Sequence, residues 1–108
     1  MVAPTRGFQA LVTHADNVAQ TLKASQPLTK YYVQQIVLQN APASVATTWA
    51  LRDGTVEIFK INLPAAQVLP VIVPLSMPLQ TSIGNALQAI CGTTGSTVYA
   101  NVQGFAGA

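Results

Sequence analysis

Between Ile61 and Ala108 the chain contains no Asp, Glu, Lys, Arg or His. A typical soluble domain has about a quarter of its residues charged, so a stretch of this length would carry roughly a dozen. Free-standing surfaces use such charges to stay hydrated and to hold neighbours apart. A half-chain without them is expected to be covered by other protein in its working state. The polar surface must then come from uncharged side chains, and the sequence supplies eleven Thr, ten Gln, five Asn and five Ser. These groups leave water at far smaller cost than an unpaired charge, so they suit dense, permanent contacts.

At 108 residues the chain is long enough for one hydrophobic core and too short for two. It is read as one domain over 1–108, with 1–7 as an N-terminal arm. The formal charge of +2 rests on five cations against three anions, too sparse for a nucleic-acid footprint. The first twenty residues hold Arg6, His14 and Asp16 and no continuous apolar run, which does not fit an export signal. The most apolar stretch, Leu63 to Leu79, is broken by Pro64, Pro70, Pro74 and Pro78, wrong for a membrane-spanning helix. It reads as extended, irregular chain. The single cysteine, Cys91, cannot form an internal disulfide and is expected to be a buried thiol, compatible with a reducing cytoplasm.

Short runs rich in Val, Ile, Thr and aromatics recur about every ten residues between Gly, Pro, Asn or Ser clusters, the pattern of an all-β sandwich or barrel. The reading is a single antiparallel β-sandwich, jelly-roll-like or Greek-key, of about seven to nine strands. Strands are placed at Phe8 to Thr13, Val18 to Ala24, Tyr31 to Gln39, Val45 to Leu51, Thr55 to Leu63, Val68 to Val73, Leu87 to Cys91 and Thr97 to Phe105. In Tyr31 to Asn40 the apolar positions switch phase around Gln34-Gln35, which indicates a bulge or burial on both faces. Pro70 and Pro74 lack backbone donors, so the segment between them belongs at a sheet edge or crosses between sheets. Ser82 to Leu87 could hold a short turn of helix, and Gly92 to Ser96 reads as a turn.

The strongest local signal is Arg52-Asp53-Gly54-Thr55. Asp-Gly supplies the positive φ angles of a two-residue type I′ hairpin. Pairing across that turn sets Leu51 opposite Val56 and Trp49 opposite Ile58, an apolar face in both strands, and leaves Ala50 with Glu57 and Thr48 with Phe59 on the other. Trp49 is therefore expected to anchor the core.

No residue pattern calls for catalysis. His14 and Asp16 are explained by a solvated turn between the first two strands. A zinc site needs three or four ligands, and one Cys, one His, two Asp and one Glu with no recurrent spacing do not suggest one. His14 is the only imidazole, no G-x-S-x-G elbow is present, and Asp53 is accounted for by its turn, so neither nucleophilic nor paired-carboxylate hydrolysis is expected. Gly92 and Gly95 lack the Lys-Ser/Thr of a phosphate loop. The chain is read as a non-enzyme without cofactor or metal, and without nucleic-acid or membrane partners. Tyr31, Tyr32, Trp49 and Tyr99 could form an aromatic platform for a sugar or a single-stranded base, although a sandwich core needs aromatics anyway. Lys23, Lys30 and Arg52 are expected on an exposed face.

The run Thr21-Leu22-Lys23-Ala24-Ser25 leading through Leu28 into Tyr31 to Leu38 and Asn40 resembles small virion proteins of tailed bacteriophages. So do Trp49-Ala50-Leu51-Arg52-Asp53-Gly54 and the stretch from Pro78-Leu79 through Gly84 to Leu87 before a closing strand ending near Gly104. The likeness covers roughly Asp16 to Phe105. A Pro-Gly step frequent before the long strand is here Gln26-Pro27-Leu28. The resemblance implies a β-sandwich virion component made in the host cytoplasm. Its implied role is capsid decoration: a cement protein that binds the major capsid shell as a symmetric oligomer, with a trimer favoured. A head-to-tail adaptor or tail protein is the alternative, and a carbohydrate-binding sandwich a second. The contacts are assigned to the uncharged half, with Gln67, Gln80, Thr81, Tyr99 and Gln103 as candidate interface residues.

Overall fold

The computed structural model describes residues 6–14, 18–41, 45–65, 67, 69–92 and 97–107. Eight strands are found there: β1 (Arg6–His14), β2 (Gln20–Lys23), β3 (Lys30–Asn40), β4 (Thr47–Asp53), β5 (Val56–Leu63), β6 (Val71–Gln80), β7 (Leu87–Cys91) and β8 (Val98–Gly107). They form two four-stranded antiparallel sheets, ordered β1-β8-β3-β6 and β2-β7-β4-β5. Every connection except the β4–β5 hairpin joins strands that are not hydrogen-bonded neighbours. This interleaving of two Greek keys is the jelly roll.

Alternation builds the core. In β3 the inward positions are Tyr31 and Val33, then Ile36, Leu38 and Asn40. The phase change is a bulge at Gln34, where the registers with β6 and β8 both shift. Opposite it, β6 throws four residues, Leu75 to Pro78, off the ladder between Pro74 and Leu79. β6 is an edge strand, as its prolines require, although it runs well beyond Val73. From the other sheet Trp49, Leu51, Leu63, Leu87, Ala89 and Cys91 meet β3 and β8 in one buried cluster.

The β4–β5 hairpin exists, but its register differs from the sequence expectation. Asp53 pairs with Val56, so Gly54-Thr55 is the loop, and a bulge between Leu51 and Arg52 then sets Leu51 opposite Phe59 and Trp49 opposite Ile61. Gly54 alone is left-handed (φ 61°), the arrangement in which glycine leads a two-residue loop. Asp53 stays extended because its carboxylate is needed elsewhere. It accepts hydrogen bonds from the Ser82 backbone N–H (3.0 Å), Ser82 Oγ (2.9 Å) and Asn85 Nδ2 (2.9 Å), while Gly54 N–H donates to Ala86 O (2.9 Å). The hairpin tip is thus fastened to the 82–86 segment, which is a turn with Gly84 at φ 82° and no helix.

Trp49 is fully buried, edge-on to Phe59 at 6.3 Å. Before β3, Pro27 and Leu28 make a turn with Leu28 at φ 57°, the left-handed second position that usually demands glycine. Leu28 therefore holds the conformation that the Gly of a Pro-Gly step would take. The turn expected at Gly92 to Ser96 lies mostly outside the described residues, as do Asp16 and residues 1–5 of the expected arm 1–7, whose Arg6 and Gly7 instead begin β1 by pairing with Ala106 and Phe105.

Candidate interaction surface

Strand pairing lays out the outer face of the β1-β8-β3-β6 sheet as rows of side chains. Gly7, Phe105, Tyr32 and Gln80 form the first row; Gln9, Gln103, Gln35 and Pro74 the second; Leu11, Asn101, Val37 and Ile72 the third; Thr13, Tyr99 and Gln39 the fourth. None carries a charge. Tyr32 and Phe105 stack at 4.7 Å and 12°, stiffening the first row. Leu11 is 75% exposed, Ile72 58% and Tyr99 49%. Between the third and fourth rows lies a hollow of about 340 Å³, walled by Leu11, Thr13, Val37, Gln39, Tyr99 and Asn101. Asn101 Oδ1 is shielded from solvent yet has no hydrogen-bond partner among the described residues of the chain.

The opposite outer face is different. Register aligns Arg52 with Glu57 and Ala50 with Lys60 there, and Glu57 and Lys60 lie 3.9 Å apart in the open. Among the described side chains, the charge nearest the first face is Lys30 at the start of β3, its Nζ 3.5 Å from Gln80 Oε1. Among the described strands, Lys23, Arg52, Asp53, Glu57 and Lys60 belong to the second sheet, and Arg6 and Lys30 stand only at strand starts of the first. The boundary at Ile61 is not a boundary in space: β6 and β8 interleave with β1 and β3, while the equally uncharged β7 is central in the charged sheet. The missed signal was in the sequence. Gly7 to Thr13 and Tyr31 to Leu51 are also free of formal charge.

Of the five candidate interface residues, Gln80 and Tyr99 are exposed and Gln103 is half-buried, all on the uncharged face. Gln67 and Thr81 are buried, 7% and 2% exposed, and bond within the chain itself. Gln67 Oε1 accepts from Asn40 N–H (3.1 Å), and its Nε2 donates to the carbonyls of Leu38 (3.1 Å) and Leu69. Asn40 Nδ2 donates in turn to Val45 O (2.8 Å) and Pro64 O (2.9 Å). Thr81 Oγ1 accepts from Tyr31 N–H (3.0 Å). These groups satisfy backbone where the chain leaves the sheets, since a buried unpaired amide is costly.

His14 is not in a solvated turn. It ends β1 inside the sandwich, fully buried, and its Nε2 accepts from Trp49 Nε1 at 3.1 Å. The neutral ring therefore carries its proton on Nδ1, and burial lowers its pKa from the usual value. At Asp53 slight burial works upward but the hydrogen bonds from Asn85 and Ser82 outweigh it and hold the pKa low. Burial pushes the Cys91 thiol up to about 11, which makes it a poor nucleophile. Among the described residues no three His, Cys, Asp or Glu side chains gather as a metal site would need. Tyr31 and Trp49 are buried, so four rings do not share an exposed platform. Lys23 lies over the Phe8 ring at 5.6 Å, Arg52 bonds Thr55 O at 3.3 Å, and both are only partly exposed.

No family model and no curated protein matches the chain. Among solved structures it is similar to the insecticidal delta-endotoxin Cry8Ea1 from Bacillus thuringiensis, with a TM-score of 0.52 and 15% identity over 91% of this chain and 19% of that one. The chain thus spans about a fifth of the toxin, and the likeness shows the fold alone. It also aligns with the giant freshwater prawn Macrobrachium rosenbergii extra small virus (XSV) VLP (TM-score 0.45, 10% identity, 98% and 80% covered). A pentameric capsid protein isolated from metagenomic phage sequences aligns with a TM-score of 0.36 and 22% identity, over 95% of this chain and 60% of that one.

Proposed function

We propose that the chain is a structural protein of a virion, a decoration subunit that binds the capsid shell as a symmetric oligomer and works by contact rather than by catalysis. One observation carries this reading: four rows of the outer face of one sheet are free of charge, with Arg6 and Lys30 only at the starts of its strands, while Lys23, Arg52, Asp53, Glu57 and Lys60 belong to the other sheet. A protein that remains free in solution gains nothing from that division. A protein held permanently by its neighbours does, because Thr, Gln, Asn and apolar groups are desolvated at little cost and their amides find partners across the contact. Asn101 Oδ1, screened from water and unmatched, fits an acceptor completed by a donor from the other side. The jelly roll is common to capsid and lectin domains and does not choose between them. The sequence resemblance to tailed-phage virion proteins favours the former.

Cosedimentation with shells assembled from the major capsid protein of the same genome tests the reading. Val37→Lys and Gln103→Lys place an unpaired charge in the face and should weaken binding by at least tenfold. Asn62→Lys, on the exposed outer side of β5, should bind normally. Gln80→Glu is a poor probe, because Lys30 stands ready to pair with the new carboxylate. A wild-type chain that does not sediment with the shell, or face variants that bind as it does, would overturn the proposal.

A further inference from the structure

A sheet edge left open is a template for another strand, and proteins guard such edges with charge, proline, bulges or brevity. Three of the four edges of this sandwich are guarded. β2 has four residues, one a lysine, and a break in register between Thr21 and Lys23. β5 carries the Glu57–Lys60 pair. β6 carries Pro74 and Pro78 and leaves the ladder between them. β1 has no proline and no bulge, and its one charge is at its first residue, Arg6. It pairs with β8 over nine residues without a break, and from Gly7 to Thr13 it contains neither charge nor proline. Among the described residues no strand lies on its other side. One tie exists at its end, from Gln20 Nε2 to Thr13 O at 3.1 Å. Phe8 and Val12 face the core yet stay partly exposed, as does Leu22 beside them, so the sandwich is open along this edge.

We infer that β1 is a self-association edge, at which a second copy of this chain pairs its own β1 antiparallel across a two-fold axis near Gln9 and Ala10. The strand is self-complementary about that point. With the axis at Ala10, Phe8 meets the partner's Val12 on the core side, Gln9 meets the partner's Leu11 on the outer side, and the smallest side chain sits at the crossing. Arg6 then lies opposite the neutral His14, so no like charges oppose one another. Only registers that match even with even positions keep both apolar faces inward, and this is one. The two sheets become one eight-stranded sheet, and the half-exposed Phe8 and Val12 are covered. An isologous contact of this kind closes at two copies. The inference does not depend on the virion reading.

The test uses the free chain. Sedimentation equilibrium should give a dimer at tens of micromolar. Under mild oxidation Ala10→Cys should form an interchain disulfide, whereas Val37→Cys in the middle of the same sheet should not; the buried Cys91 supplies little background. Gln9→Lys with Leu11→Lys should weaken the dimer more than tenfold, and mixing that variant with Gln9→Glu plus Leu11→Glu should restore it, which a folding defect would not allow. A chain that stays monomeric at 100 μM, lysine variants that dimerise like wild type, or a cross-link at position 37 and not on β1 would overturn the inference, and none of these would bear on shell binding.

Discussion

Gly104 is where the structure makes its most demanding claim on the sequence. It lies in β8 opposite Val33, beside the Gln34 bulge. A Cβ there would overlap the carbonyl oxygen of Tyr32 and stand 2.9 Å from its carbonyl carbon and 3.1 Å from Val33 Cα. Non-bonded heavy atoms rest at about 3.5 Å, and the obstructing atoms are backbone at the centre of a sheet, so no side chain can swing away. Gly104→Ala must part β3 from β8. Overpacking strain of about 1–3 kcal/mol adds to two weakened ladder hydrogen bonds at about 1 kcal/mol each, for a loss of roughly 3–5 kcal/mol. Two other glycines calibrate the argument. At Gly7 the nearest atom to a Cβ is 3.8 Å away, so Gly7→Ala should lie within about 0.5 kcal/mol of wild type. At Gly92 a Cβ would meet the Thr48 hydroxyl, a group that can rotate, and a cost of about 1 kcal/mol is expected. Urea unfolding should show the largest loss for Gly104→Ala, a smaller one for Gly92→Ala and the smallest for Gly7→Ala, with the Gly104→Ala midpoint lowered by about 2 M. A loss below 1 kcal/mol at Gly104, or one no larger than at Gly92, would refute the close approach and the register that creates it.

Trp49→Ala should cost about 3–5 kcal/mol, and wild-type fluorescence should be blue-shifted; red-shifted emission would place the ring in water and remove it from the core. His14 should make stability depend on pH. Its folded pKa is depressed, so the unfolded chain binds the proton first. The stabilisation is complete above the unfolded value of about 6.5 and is lost as pH falls from there towards the folded pKa. Urea midpoints at pH 7.5 and pH 5 should show this fall, and His14→Gln should flatten it. Leu28→Gly should be neutral or stabilise by up to about 1 kcal/mol, since glycine takes the left-handed turn without strain, while Leu28→Val should destabilise. Calorimetry that ranks the three side chains otherwise would count against the φ of 57°.

The strands were legible because each rule that reveals them is local. Alternation located the phase change at Gln34-Gln35 without choosing between a bulge and burial on both faces, and the prolines of β6 confined it to an edge or a crossing between sheets. What failed was decided by partners far along the chain. Asp-Gly promised a type I′ loop, but Ser82 and Asn85 claim the Asp53 carboxylate across 29 and 32 residues, and the loop moves on by one residue. His14 looks like a turn residue until Trp49, 35 positions away, donates to it. Gln67 and Thr81 read as outward polar groups because nothing nearby reveals the backbone amides of Asn40 and Tyr31 that they satisfy. The uncharged face was half visible: missing charge is countable after Ile61, whereas its continuation through β1 and β3 depends on strand order, which composition does not encode.

The division of charge between the sheets also bears on the conditions under which such a subunit would hold or let go. An interface formed by the uncharged face would contain no fixed charges to screen, so sodium chloride should barely change its strength, whereas sulfate should tighten it and cooling loosen it. Without electrostatic steering, encounter would proceed at about 10⁵–10⁶ M⁻¹s⁻¹. Lasting attachment would then rest on how seldom a seated subunit leaves.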